Sequence, residues 1–268
     1  MRTSLQGSWS LVLGVSSGFG RATARAVAAE GGNIVGVHFD TAEGQESATK
    51  LADDLHATGV RAHFFNLNAA SPATRSEVVS QIAELTDGNG LRVLLHSLAF
   101  GSLMPFVPPT DASAGTETVS PRQMAMTVDV MAHSLVYWVQ DLLAAGQLPS
   151  GAKIFAMTSA GSTRVLGDYG PVSAAKAALE SHVRQLAVEL APRGIAVNAL
   201  RAGTTLTPAL RKIPGADRYA EASLGRNPHG RLTEPEDVAE IVTLLATPDS
   251  SWLTGNVIGV DGGESLTA

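Results

Sequence analysis

The 268-residue sequence contains no cysteine. This absence excludes disulfide bonds, thiolate catalysis and metal sites built from cysteine ligands. Aromatic residues make up only 5% of the chain and charged residues 16%, whereas 44% of the residues are hydrophobic. The chain therefore has enough apolar material for a large folded core and lacks the charge-rich composition of a disordered protein.

Long apolar runs are also missing, since none is long enough to cross a lipid bilayer. Residues 1–7 lead into a predicted strand without the pattern of a signal peptide. The net charge is 19 − 25 = −6, and the basic residues form no cluster. We therefore expect neither a nucleic-acid partner nor a membrane partner, and we expect a cytoplasmic protein.

What the sequence does contain is a regular alternation of short apolar runs with helical patterns. Strands are predicted at 9–14, 33–39, 60–67, 91–96, 152–158, 194–200 and 257–261, with helices at 21–30, 41–59, 71–86, 122–145, 170–191 and 234–246. This order predicts an α/β fold: one Rossmann-type, doubly wound domain over 1–268, with about seven parallel strands and helices on both faces.

A glycine-containing turn joins the first predicted strand to the first helix. Glycine in such a turn lets the backbone approach a pyrophosphate, and the helix N-terminus supplies N–H groups and partial positive charge. Turn glycines alone are a weak signal, but the flanking strand and helix favour dinucleotide binding. The residues assigned to this role are Gly14, Ser16, Ser17, Gly18, Phe19 and Gly20.

The ends of the second and third strands are predicted to face the adenosine half of a dinucleotide. Asp40 follows the second strand, where a carboxylate accepts from the ribose hydroxyls and repels a 2′-phosphate, which favours NADH. His38 is the competing residue if that strand ends earlier, and Asp40 could instead cap the next helix. Asn66 and Leu67 are expected beside the adenine. Arg21 could serve a phosphate, so NADPH stays open.

Two further segments are expected around the nicotinamide half. Ser97, Leu98 and Ala99 follow the fourth strand, while His96 is expected to be a hydrogen-bonded structural histidine. After the sixth strand, backbone and hydroxyl groups could hold the carboxamide and pyrophosphate, and the residues assigned there are Gly203, Thr205 and Thr207. Residues 103–119 are predicted as a loop at the ligand-binding edge, and the turn-rich segment 206–231 as a substrate lid.

A hydroxyl, a phenol and an ammonium converge around the fifth strand and the helix that follows it. Ser159 ends the strand, and Tyr169 and Lys176 lie seven residues apart, nearly two helical turns, on one face. A nearby ammonium is expected to favour phenolate and make the tyrosine a better proton donor. The alternative is a surface tyrosine and a solvated lysine.

Together these motifs resemble the short-chain dehydrogenase/reductase superfamily. The likeness rests on the glycine turn, the Tyr169/Lys176 pair, residues 195–199 (Ile-Ala-Val-Asn-Ala) and residues 260–263 (Val-Asp-Gly-Gly), and it covers essentially the whole chain. Ordinary members carry the tyrosine four residues before the lysine, where this chain has Val172. The Y-x6-K spacing found here is that of bacterial enoyl-acyl carrier protein reductases, and residues 96–100 (His-Ser-Leu-Ala-Phe) resemble their His-Ser-Ile-Ala-Phe stretch.

Several positions depart from the enoyl reductase pattern. The best-known enoyl reductases carry a second tyrosine seventeen residues before the lysine, whereas this chain has Ser159, as ordinary carbonyl-reducing members do. Residues 169–180 look most like the NADPH-using branch of enoyl reductases, yet Asp40 stands where that branch has a basic residue. Asp129 or a neighbour stands where ordinary members carry a relay asparagine, which weakens a ketone reductase assignment.

The resemblance implies hydride transfer from NADH, or alternatively NADPH, to the β-carbon of a trans-2-enoyl thioester carried by acyl carrier protein or coenzyme A. Tyr169 would donate to the thioester oxygen, Lys176 would hold the ribose, and Ser159 would bond Tyr169 or the substrate. Phe100, Leu206 and the lid would form an acyl channel, and no metal is implied.

The same resemblance implies a homotetramer, built on the helix around 124–143 and the helix of Tyr169 and Lys176. The alternatives in function are a carbonyl reductase or alcohol dehydrogenase of the same superfamily and a non-catalytic dinucleotide sensor.

Overall fold

The computed structural model describes residues 4–110 and 117–267. Within these residues seven strands form one parallel sheet in the order β3-β2-β1-β4-β5-β6-β7. The strands are β1 (Trp9–Leu13), β2 (Asn33–His38), β3 (Ala62–Asn66), β4 (Leu91–His96), β5 (Lys153–Thr158), β6 (Ala196–Ala202) and β7 (Val257–Val260). The predicted doubly wound α/β fold is therefore confirmed. Its strand order reverses between β1 and β4, which opens a crevice at their carboxyl ends.

The described residues also contain eight α-helices. They are α1 (Gly18–Ala29), α2 (Ala42–Ala57), α3 (Pro72–Leu85), α4 (Pro121–Val128), α5 (Ser134–Ala144), α6 (Gly170–Leu190), α7 (Ala216–Arg226) and α8 (Pro235–Ala246). A π turn, Asp129–His133, joins α4 to α5. No helix in the described ranges combines the length and apolarity needed to span a membrane.

The apolar core is divided in two by the sheet. Successive side chains of a strand point to opposite faces, so Leu11 and Leu13 of β1 enter one cluster and Val12 enters the other. The first cluster also contains residues of α3, α5 and α6, and the second contains residues of α1, α2 and α8. Burial on both faces explains why these strands read as continuous apolar runs.

Several predicted boundaries are wrong. Helix α1 begins at Gly18 rather than at residue 21, and β2 ends at His38. The helix predicted at 122–145 is present as a continuous helical run from Pro121 to Ala144 that contains the π turn. Segment 206–231 contains the helix α7 instead of turns alone. That helix buries only Ala220 and Ser223, and its sequence has few large apolar residues that would mark a core-facing helix. Of the loop predicted at 103–119, residues 111–116 lie outside the described residues.

We predict that Gly20→Ala destabilises the fold. A Cβ at Gly20 would lie 2.0 Å from the carbonyl oxygen of Gly14, so α1 would have to move away from the turn after β1. The free energy of unfolding in urea should fall by about 2 kcal/mol or more. Gly225→Ala in α7 is the control, because a Cβ there meets nothing within 4 Å, and it should gain up to about 1 kcal/mol. Equal unfolding midpoints for G20A and wild type would contradict this packing.

Candidate active site

A cleft of about 510 Å³ runs along the carboxyl ends of the strands. The loops after β1 to β6 form it together with α4, α6 and α7, at the position where open α/β sheets bind ligands. Most of the residues singled out from the sequence lie in its lining: Gly14, Ser16, Ser17, Gly18, Phe19, Asp40, Leu67, Ser97, Leu98, Ala99, Ser159, Tyr169, Lys176, Gly203, Thr205 and Thr207. Gly20 and Asn66 do not line it.

The turn after β1 has the shape of an anion cradle. Gly14 has φ +91°, and a Cβ on it would lie 2.5 Å from the carbonyl oxygen of Ser97. The N-cap of α1, Ser17, makes no side-chain cap hydrogen bond within the described residues, so the first N–H groups of the helix remain for a ligand at the cleft wall. These features fit a dinucleotide pyrophosphate. Gly20 instead serves the close packing of α1 on this turn.

At the end of β2, two residues that the sequence left as competitors act together. The His38 side chain is only 1% exposed, and its Nδ1 donates to Asp40 Oδ2 at 2.9 Å. The Asp40 backbone is held by Asn66, whose Oδ1 accepts from Asp40 N at 2.9 Å and whose Nδ2 donates to Asp40 O at 3.1 Å. Asn66 therefore fixes Asp40, and it does not line the cleft where the adenine was expected.

The sequence left Arg21 as a candidate for binding a phosphate, but its side chain forms hydrogen bonds elsewhere. Its Nε donates to the carbonyl oxygen of Ser16 at 2.9 Å, and a second guanidinium nitrogen donates to the Ser47 hydroxyl. Arg21 does not line the cleft, whereas the cationic residues that do so, among those described, are Arg164, Lys176, Arg201 and Lys212.

Tyr169 occupies the N-cap of α6, directly after Asp168, which has φ +57°. This left-handed residue turns the chain so that Tyr169 packs inward and is 8% exposed. Gly161 permits the packing, since a Cβ on it would lie 2.5 Å from Cε1 of Tyr169 and 3.3 Å from Oγ of Ser159. The structure thus brings Ser159 and Tyr169 together across the short helical turn Ala160–Ser162.

The protonation of Tyr169 differs from the expectation. Burial raises the pKa of Tyr169, the Ser159 hydroxyl opposes this rise, and the neighbouring Tyr219 phenol adds to it. The expected lowering by Lys176 is wrong here because desolvation of the phenolate outweighs the favourable interactions. Tyr169 is consequently held as a neutral phenol, the form that can donate a proton.

Lys176 is 5% exposed, and its Nζ donates to the carbonyl oxygen of Met157 at 2.7 Å. Burial lowers the pKa of Lys176 to about 8, and the carboxylate of Glu180 opposes this change. An ammonium carries three donors, so donors remain for hydroxyl groups of a ligand in the cleft.

His96 lies fully buried beside Lys176. The Ser134 hydroxyl donates to the carbonyl oxygen of Val130 at 2.7 Å, so it accepts from His96 Nε2 at 2.8 Å. Burial, and then the charge of Lys176, lower the pKa of His96 to about 3. His96 is therefore a neutral, hydrogen-bonded residue, as expected. Asp129 begins the π turn and does not line the cleft.

Around Tyr169 the cleft is lined by apolar residues, which we call the apolar arm, and sequence reasoning found this part of the cleft only partly. Phe100 was expected in this arm and does line the cleft. Most of the arm is formed by residues from elements that are far apart in the chain: Leu103, Met126, Val130, Met131, Leu166, Ile213 and Tyr219. Tyr219 reaches the cleft from α7, the helix missed in the sequence. Leu206, expected in this channel, does not line it and is 49% exposed.

The loop after β6 is tied to the chain's last described residues. Glu264 is 6% exposed, and its carboxylate accepts from the N–H of Thr204 at 2.9 Å and from its hydroxyl at 2.8 Å. A Cβ at Gly18 would lie 3.3 Å from Thr207, so this loop borders the glycine turn. Gly203, Thr205 and Thr207 are thereby fixed opposite the start of α1.

Comparison with known proteins is consistent with this site. A model of the family described as enoyl-(acyl carrier protein) reductase matches residues 14–265. The 3-oxoacyl-[acyl-carrier-protein] reductase FabG of Pseudomonas aeruginosa is 29% identical over 97% of this chain and 98% of its own length. The enoyl-[acyl-carrier-protein] reductase [NADH] FabI of Aquifex aeolicus is 31% identical over 65% of this chain and 62% of its own length.

Among solved structures, a short-chain dehydrogenase from Burkholderia cenocepacia in complex with NADP has a TM-score of 0.81 and 27% identity, over 98% of this chain and 99% of that one. Relatives of both reaction types thus share the architecture, and their names include both NADH and NADP. The match over residues 14–265 decides the family: the chain belongs to the short-chain dehydrogenase/reductase superfamily, in the family described as enoyl-(acyl carrier protein) reductase, and is an oxidoreductase that uses a nicotinamide dinucleotide.

Proposed function

We propose that the protein reduces the carbon–carbon double bond of trans-2-enoyl thioesters. The observation that carries this proposal is the position of Tyr169, seven residues before Lys176, at the junction of the apolar arm with the polar Ser159. A phenol held neutral at this junction can donate to an oxygen at one end of an apolar substrate. The cleft extends past it along Met131, Leu166 and Ile213, which suits an acyl chain.

In the proposed reaction, a bound reduced dinucleotide supplies a hydride to the β-carbon of the substrate. Negative charge then develops on the thioester oxygen, and the Tyr169 O–H donates to that oxygen, where charge appears only in the transition state. Uptake of a proton at the α-carbon would complete the reduction and leave the saturated thioester and the oxidised dinucleotide. Lys176 holds ribose hydroxyls and keeps positive charge beside the phenol. Ser159 orients Tyr169 through the contact that the two residues share.

For the dinucleotide we propose NADH in preference to NADPH. The support is the Asp40 carboxylate, which is fixed by His38 and Asn66 and lies in the cleft wall at the end of β2. A carboxylate there accepts from a ribose 2′-hydroxyl and repels a 2′-phosphate. Arg21, which could have offset that repulsion, is directed to Ser16 and Ser47.

The acyl group is proposed to arrive on acyl carrier protein or coenzyme A. Segment 206–231 is proposed to act as the substrate lid, with α7 bringing Tyr219 to the acyl arm. We also propose a cytoplasmic homotetramer that pairs subunits through the α4–α5 face and α6, in keeping with the apolar residues of these helices.

A second candidate function is reduction of a ketone, which Ser159 favours. Ordinary carbonyl-reducing members carry serine at this position, and here it lies against Tyr169. The similarity to the Pseudomonas aeruginosa 3-oxoacyl reductase points the same way.

The first prediction from the proposed function distinguishes enoyl reduction from ketone reduction by the thioester that the protein turns over. Purified protein should oxidise NADH with a crotonyl thioester faster than with an acetoacetyl thioester, followed by the absorbance of the reduced nicotinamide. Oxidation with the acetoacetyl substrate alone would overturn the enoyl proposal and support ketone reduction. Tight dinucleotide binding without turnover of either substrate would instead support a sensor.

The second prediction concerns the proton donor. Tyr169→Phe should lower kcat by about 10²–10⁴-fold, because the thioester oxygen loses its donor, while the Kd for NADH measured by fluorescence stays within about twofold. Tyr137→Phe is the matched control, since Tyr137 lies on α5 outside the cleft. Wild-type turnover by Y169F would show that Tyr169 is not the donor.

The third prediction concerns the dinucleotide. Asp40→Asn removes the charge that repels a 2′-phosphate, so the ratio of kcat/KM for NADH to that for NADPH should fall by about tenfold, equivalent to about 1.4 kcal/mol. Asp53→Asn, at an exposed position of α2, should leave the ratio unchanged. An unchanged ratio in D40N would mean that Asp40 does not discriminate between a ribose 2′-hydroxyl and a 2′-phosphate.

A further inference from the structure

The carboxylate of Glu180 lies buried beside the active site without lining the cleft. Glu180 stands one turn after Lys176 on α6, and only 9% of it is exposed. Burial of a carboxylate is costly unless the group is paired and hydrogen-bonded. Here Oε1 of Glu180 accepts from the Thr158 hydroxyl at 2.6 Å. The position is therefore built to hold a carboxylate, and its burial calls for a role.

Glu180 and Lys176 form hydrogen bonds with adjacent residues at the end of β5. Lys176 donates to the carbonyl oxygen of Met157, and Glu180 accepts from the side chain of Thr158. Residues four apart lie on one helix face. Helix α6 is therefore joined to the end of β5 by two hydrogen bonds, made by residues one turn apart on α6. The next residue of the chain is Ser159. Glu180 thus helps to set how Lys176 and Ser159 face each other.

The second contribution of Glu180 is its charge. Burial disfavours the ammonium form of Lys176, and Glu180 is the group that acts in the opposite direction. Among the other titratable groups nearby, His96 of β4 is neutral, and Tyr169 is held as a phenol. From the π turn, His133 contacts His182, which lies farther along α6.

We propose that Glu180 is a positioning residue of this active site: its carboxylate, held by Thr158, keeps Lys176 charged and directed at the dinucleotide ribose. The inference rests on the proposed function only in requiring that the cleft binds a reduced dinucleotide. It holds equally for enoyl and for ketone reduction, because Lys176 contacts the ribose in both cases.

The test is the pH dependence of Glu180→Gln. We measure kcat/KM for NADH with the thioester that the wild type reduces, and NADH affinity by fluorescence, between about pH 6 and pH 9.5. Loss of the carboxylate lets Lys176 lose its proton at lower pH, since an opposite charge nearby favours the charged form by about one pH unit or more. The alkaline limb of both profiles should therefore move down by about one pH unit. At pH 6, where Lys176 is still charged, E180Q should stay within about threefold of wild type.

Three further variants serve as controls. Glu189→Gln removes an exposed carboxylate of the same helix, which accepts from Gln185, and its profile should coincide with the wild type. Thr158→Val removes the hydroxyl that holds Glu180 and should move the limb in the same direction as E180Q. Thr158→Ser keeps the hydroxyl and should restore the wild-type profile. If E180Q fails to fold, the comparison of Thr158→Val with Thr158→Ser tests the proposal in its place.

The proposal is overturned if folded E180Q has the wild-type alkaline limb, or if its activity falls by the same factor at every pH. Failure of the proposed function has a different signature. In that case the wild type binds NADH but turns over neither thioester, and the pH dependence of NADH affinity still tests Glu180.

Discussion

Burial of the Lys176 ammonium at the carboxyl end of the sheet is the constraint on which the site depends. The cost of removing this charge from water lowers the pKa of Lys176 to about 8. A carbonyl oxygen of β5 and a carboxylate one turn along α6 offset that cost. The same burial holds the neighbouring phenol of Tyr169 neutral. Desolvation thus keeps the phenol protonated and able to donate, while the carbonyl oxygen and the carboxylate favour the charged form of the lysine against the cost of burial.

The geometry of the cleft follows from the fold around this pair. Strands β1 and β4 are neighbours at the point where the strand order reverses, so the glycine turn and the loop after β4 lie in contact at the start of α1. The polar arm runs from this turn to Asp40, and the apolar arm runs from Tyr169 toward α4 and α7. Tyr169 stands where the arms meet. Its spacing from Lys176 follows the enoyl-reducing pattern, and Ser159 beside it follows the ketone-reducing pattern.

The fold could be predicted because its central strands β1, β2, β4 and β5 are buried on both faces. Apolar runs such as 9–14 and 91–96, separated by helical patterns, leave few arrangements other than a doubly wound parallel sheet. The residues around the glycine turn, Ser159, Tyr169 and Lys176 were found for the same reason, since parallel strands bring their carboxyl ends to one edge.

Other features depend on interactions that no local pattern records. Helix α7 is mostly polar and buries only two small residues, so neither it nor the contribution of Tyr219 to the cleft was predicted from the sequence. The sequence left His38 and Asp40 as alternatives, and only the turn after β2 shows them bonded to each other. Glu180 looks like an ordinary helix residue until Thr158 is placed against it. The neutral state of Tyr169 reflects burial, which the spacing of two residues cannot reveal.

Identification of the carbon that receives the hydride tests the central claim most directly. NADH carrying deuterium at both C4 positions of the nicotinamide is turned over with a crotonyl thioester, and the product is examined by NMR and mass spectrometry. Enoyl reduction predicts a butyryl thioester with one deuterium on its β-carbon. Unchanged crotonyl thioester, together with deuterium appearing on the hydroxyl-bearing carbon of a product made from an acetoacetyl thioester, would contradict it.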